Sequence, residues 1–116
     1  MNAFAGRHSP AVSKRYKDAY DVAQTTVRMG VSIKIAGLLV GAGLFVLFSL
    51  MLFAQTEKNG LMLIAGLVLA MIVGGAIYAV GVMISAQGQL LLATLDSAIN
   101  GSPFLTDEQR AQVMSV

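Results

Sequence analysis

The sequence predicts an all-α integral membrane protein, a two-span antiparallel helical hairpin with amphipathic helical extensions at both cytoplasmic ends. Three observations carry that expectation. The chain is 56% hydrophobic and only 12% charged over 116 residues, with a mean hydropathy of +0.72, whereas soluble domains carry about 25% charged residues. Two stretches contain no Asp, Glu, Lys or Arg: Ile35 to Thr56, twenty-two residues, and Asn59 to Leu95, thirty-seven. A helix crosses a hydrocarbon core of about 30 Å with roughly 20 residues, so both runs are long enough. Finally, the connection between them is short and holds Asn59-Gly60, a turn dipeptide. A buried hairpin of a soluble protein would use similar helices, but the rest of this chain is too small to wrap them.

The elements follow in order. Residues 1–9 read as a flexible tail, and Ser9-Pro10 as the N-cap and first position of an amphipathic helix over 10–30. Its stripe is Val12, Tyr16, Ala19, Tyr20, Ala23 and Val27, with Lys14, Lys17, Asp18, Asp21 and Arg28 opposite. Such a helix can lie on lipid with its tyrosines at headgroup level. This stripe has no Leu, Phe or Trp, however, which favours cover by another part of the protein.

Residues 31–54 are the first span, 55–60 an external loop and 61–86 the second span. Residues 87–100 continue the second helix amphipathically through Leu91, Leu92, Leu95, Ala98 and Ile99, until Asn100-Gly101 and Pro103 stop it. Counting outward from the loop sets Tyr20 level with Leu95, and Tyr16 with Ile99, so the stripe Tyr16, Tyr20, Val27, Leu91, Leu95 and Ile99 closes outside the membrane. If Gly30 hinges instead, the first helix lies along the surface. Residues 101–116 form a linker and a short terminal helix, with a capping box from Thr106 to Gln109. Phe104 and Leu105 are large apolar residues in that polar linker, expected to dock on this chain or on a neighbour.

Cations set the orientation. Arg7, Lys14, Arg15, Lys17, Arg28 and Lys34 precede the first span, against Lys58 in the loop and Arg110 in the tail. The positive-inside rule places both termini in the cytoplasm, with the hairpin in the inner (plasma) membrane. No apolar segment of signal-peptide type stands near the start, and the chain is read whole as mature protein.

Glycines are the most informative pattern within the spans. Gly66, Ala70, Gly74, Gly81, Ser85 and Gly88 share one face of the second helix, while Gly37 and Gly41 form a GxxxG on the first, with Gly30 on the same side. Small faces let helix backbones approach closely in lipid. They predict packing within the hairpin and, because Gly75 and Ala79 form a second small pair on the opposite side, a homo-oligomer.

The chemistry is largely exclusion. No cysteine is present, which removes disulfides, thiolate metal sites and Cys nucleophiles. His8 is the single histidine and has no converging ligands in the sequence, so no metal is predicted. Gly41-Ala42-Gly43 lies inside an apolar run and is no phosphate loop. Proton-translocating rotor subunits are also small hairpins with glycine-rich first helices, but they need a carboxylate in mid-membrane. Here that region holds only Tyr78, and Asp96 lies well outside it. A net charge of +2 provides no basic face for nucleic acid. No catalytic residue, cofactor or small-molecule substrate is predicted.

The segments YKDAYDVA, IKIAG and SAQGQLLLATLDSAINGSPFL resemble small bacterial inner-membrane proteins with two transmembrane helices. That resemblance implies a bacterial inner-membrane location and no activity, ligand or catalytic residue. The function expected is a non-enzymatic scaffold or accessory subunit that contacts membrane lipid, self-associates through glycine faces and holds a protein partner through its cytoplasmic flanks. Two alternatives stand behind it. A pilin-like subunit of a membrane-derived homopolymer would usually show a basic loop, where Glu57-Lys58 is neutral, and a holin-like pore-former a basic tail, where this one is acidic.

Overall fold

A computed structural model of the chain describes residues 5–55 and 60–115, with side chains described from residue 11 onward. It is all-helical. Helix α1 runs Ala5–Ala54, α2 Gly60–Asn100 and α3 Asp107–Met114. The structure divides into two compact units: residues 1–28 with 86–116, here the terminal unit, and residues 29–85, here the apolar unit. In each, a length of α1 packs against a length of α2.

The two long helices follow from the sequence in the simplest way: nothing between Ala11 and Ala54, or between Gly60 and Asn100, is a proline. Gly30 and Gly88, candidates for breaks, both sit in uninterrupted helix. The upstream boundary differs from expectation. α1 begins at Ala5, so Ser9-Pro10 lies within the helix instead of opening it. An N-cap serine contributes about 1 kcal/mol, and Pro10, the sixth residue of α1, leaves the Gly6 carbonyl without its usual amide donor, a local cost that the helix carries. The side chain of His8 and residues 56–59, where a turn is expected, lie outside the described residues.

α2 stops at Asn100 as its composition suggests, although not through a left-handed glycine: among the described residues no glycine has positive φ. The Gly101 amide still donates to the Ser97 carbonyl at 3.0 Å and that of Ser102 to Ile99 at 3.2 Å. Pro103 then has no N–H to donate and disfavours helical geometry at Ser102. α3 opens with both halves of a capping box: the Gln109 amide donates to Thr106 Oγ1 at 3.3 Å, and the Thr106 amide to Gln109 Oε1 at 3.2 Å. Two of the helix's orphan donors are thereby satisfied.

The terminal unit has a side-chain core. Tyr20, Ile99, Leu105 and Val113 are buried together, with Val12, Tyr16, Leu92 and Leu95 packed around them. Ile99 and Val113 are wholly inaccessible. On α2 the inward positions are Gly88, Leu92, Leu95 and Ile99, steps of four, three and four that keep one seam facing its partner. Leu91 falls one position off that seam and is 47% exposed, so its predicted place in the stripe belongs to Leu92.

Candidate functional site

The apolar unit is built around backbone contact. A Cβ on Gly37 would lie 2.6 Å from the Tyr78 backbone nitrogen and 2.9 Å from the Gly74 carbonyl oxygen. One on Gly81 would lie 2.7 Å from the Gly30 carbonyl, and one on Gly74 2.8 Å from the Gly41 Cα. Real Cβ atoms do not approach backbone that closely, so glycine is required at these positions for the helices to meet as they do. Gly41 itself makes ordinary contact with Gly74 and Ala70, and Gly66 lies beneath the Phe48 ring. The backbone nitrogen of Ser85 meets Gly30.

Within the apolar unit, Gly30 thus meets Gly81 and Gly37 meets Gly74. In the terminal unit Gly88 meets Ala23 and Val27, with its Cβ position 2.8 Å from the Val27 nitrogen and 3.1 Å from the Ala23 carbonyl. The spacing explains the pairing. Ala23, Gly30 and Gly37 recur every seven residues along α1, and Gly74, Gly81 and Gly88 every seven along α2, so a forward step on one helix matches a backward step on the other. A seven-residue repeat keeps one seam in register between two helices. Sequence reasoning found the shared faces but missed this repeat, which was available by comparing glycine spacings on the two helices.

All eight residues predicted as a packing face therefore have contacts within the chain's own units: Gly37, Gly41, Gly66, Ala70, Gly74, Gly81 and Ser85 in one, Gly88 in the other. A contact between copies needs another surface. Gly75 has nothing within 4 Å of its Cβ position, and Ala79 beside it is exposed. The outer surface of the apolar unit is strongly apolar: Leu39, Leu50, Phe53, Leu61, Met71 and Met83 are each more than half exposed. A groove of about 320 Å³ between Phe48, Leu52, Met62 and Leu69 has Gln55 as its single polar lining residue.

In the terminal unit the stripe divides. Tyr20 and Ile99 are buried, Tyr16, Val27 and Leu95 half-buried, and Leu91 exposed. The pair Phe104-Leu105 divides too. Leu105 is taken up by the chain's own core, whereas Phe104 is 73% exposed and remains available to a neighbour. Arg110 ties the linker down, donating from Nη2 to the Ser102 carbonyl at 2.8 Å and from Nη1 to Asp107 at 3.0 Å. The Tyr20 hydroxyl and Arg110 Nε are buried without a hydrogen-bond partner among the described residues.

No cluster of three or more His, Asp or Glu occurs among the described residues. What the geometry provides is a closely packed helix pair with large apolar side chains turned outward, and a small bundle with Phe104 on its surface. No family model, curated protein or solved structure matches the chain.

Proposed function

We propose that the chain is a non-enzymatic integral membrane protein of the inner membrane, a scaffold or accessory subunit whose hairpin spans the bilayer with both termini in the cytoplasm. One observation carries this reading. The two helices are long and apolar enough to cross a membrane, yet only 6% and 17% of their most apolar windows are buried within the protein. A core helix of a soluble protein would be mostly buried. In the apolar unit Leu39, Leu50, Phe53, Leu61, Met71 and Met83 are instead more than half exposed. Lipid is the solvent that makes such a surface favourable.

In this reading the glycine seam supplies the hairpin's cohesion, because lipid gives no hydrophobic drive between helices. Self-association uses the open face of Gly75 and Ala79. The terminal unit, with its amphipathic extensions, lies in the cytoplasm and offers Phe104 to a protein partner.

Alkaline carbonate extraction of membranes tests the embedding, with retention in the pellet expected. Reporters fused at each terminus test the orientation, and a periplasm-active reporter at either end would overturn it. Cysteines at Gly75 and Ala79 should crosslink between copies; crosslinking at neither position would remove the oligomer from the proposal.

A further inference from the structure

Lys34 is the last charge on α1 before the apolar run, and it has an unusual seat. Its backbone nitrogen and Cγ lie 2.6 and 2.8 Å from where a Gly81 Cβ would stand, so the absence of a side chain at Gly81 is what lets the lysine stem lie along α2. The residue is half-buried, yet its ammonium has no hydrogen bond or ion pair among the described residues. The sequence offers no near acid either: none occurs between Asp21 and Glu57, nor between Lys58 and Asp96.

Helical side chains lean toward their own N-terminus. On α1 that direction leads away from the apolar run, so the stem is packed while the charge is carried outward, as a lysine at the edge of a hydrocarbon core requires. Ser85 follows Gly81 by one turn on α2, and its backbone nitrogen meets Gly30. An ammonium held by its stem and lacking a carboxylate is suited to a phosphate oxygen.

We infer that Lys34, seated on Gly81, binds the phosphate of an anionic lipid headgroup in the cytoplasmic leaflet. The inference rests on the membrane reading above. Its occupant is a lipid phosphate, since the apolar surface of the same unit would hold the acyl chains beside it.

The test uses the full chain reconstituted in phosphatidylcholine vesicles with and without phosphatidylglycerol, then extracted gently and weighed with its bound lipid by native mass spectrometry. Wild-type protein should retain phosphatidylglycerol. Lys34→Gln should reduce that retention about fivefold, the factor expected of one cation at an anionic leaflet, ~1 kcal/mol. Lys34→Arg should retain the lipid, and Lys14→Gln, on the terminal unit, should leave retention unchanged. Equal retention by Lys34→Gln in protein that resists carbonate extraction would overturn the lysine site alone. Protein released by carbonate would overturn the membrane reading and the site together. Saturable binding of inorganic phosphate to the protein in phosphatidylcholine alone, lost in Lys34→Gln, would overturn the lipid as the source of the phosphate.

Discussion

The two units solve helix pairing in opposite ways. In the terminal unit Tyr20, Ile99, Leu105 and Val113 fill the space between elements, and charged residues such as Lys14, Asp18 and Asp21 face outward. In the apolar unit glycine removes the space, the backbones touch at Gly30, Gly37, Gly74 and Gly81, and large side chains face outward. On the membrane reading proposed above, the contrast follows from what surrounds each unit. Where water surrounds a bundle, apolar side chains gain by leaving it for the interior. Where the surroundings are as apolar as leucine, that gain vanishes and close backbone packing supplies the attraction.

The strongest way to break the comparison is to give the apolar unit side chains in its seam. Gly37→Leu cannot be accommodated, since even a Cβ would stand 2.6 Å from the Tyr78 nitrogen. It should abolish α1–α2 contact in that unit. Gly75→Leu, with nothing within 4 Å, should leave the contact intact. Disulfide trapping between cysteines at Gly41 and Ala70, neighbours across the seam, reads both variants in otherwise unchanged chains. Efficient trapping in Gly37→Leu would contradict the glycine requirement.

That asymmetry between Gly37 and Gly75 also marks how far the sequence could be read. Charge-free runs announced both long helices because a missing charge over twenty or more residues needs no knowledge of partners. The Thr106 capping box was equally local, four residues acting on one another's backbones. The seam was harder. Face-sharing on one helix identifies small residues, but which of them meets which depends on both helices at once, and so Gly81 as the seat of Lys34 escaped notice. Leu91 and Leu92 are adjacent leucines, separable only when the register fixes which one looks inward. Ser9-Pro10 was misread for the opposite reason: a local start signal was weighed without the helix that continues through it.

Side-chain filling in the terminal unit predicts the next largest effect. Ile99 is wholly buried, and Ile99→Ala should cost about 2–5 kcal/mol through lost burial and the cavity left behind. Leu91→Ala, about two turns away on the same helix but exposed, should cost about 0.5 kcal/mol or less. Hydrogen exchange of the α3 amides separates them, because α3 rests on the Ile99 cluster through Val113 and Leu105. Comparable loss of protection in both variants would mean that the terminal unit is not organised around the Gly88, Leu92, Leu95 and Ile99 seam.

The smallest effect has the most informative sign. Tyr20 is buried in the terminal core, but its hydroxyl has no hydrogen-bond partner among the described residues. A buried unpartnered hydroxyl is a cost of about 1–3 kcal/mol, whereas the ring contributes apolar contact that phenylalanine would preserve. Tyr20→Phe should therefore stabilise the terminal unit by about 1 kcal/mol, read as slower exchange of the same α3 amides. Among the described residues nothing would lose a partner by the change. Faster exchange would show that the hydroxyl is used; Arg110 Nε is a second buried polar atom without a partner among the described residues. Repeating Tyr20→Phe in an Arg110→Lys background decides the point: coupled effects place tyrosine and arginine in one polar network, and independent effects leave Tyr20 as an apolar residue with a hydroxyl to spare.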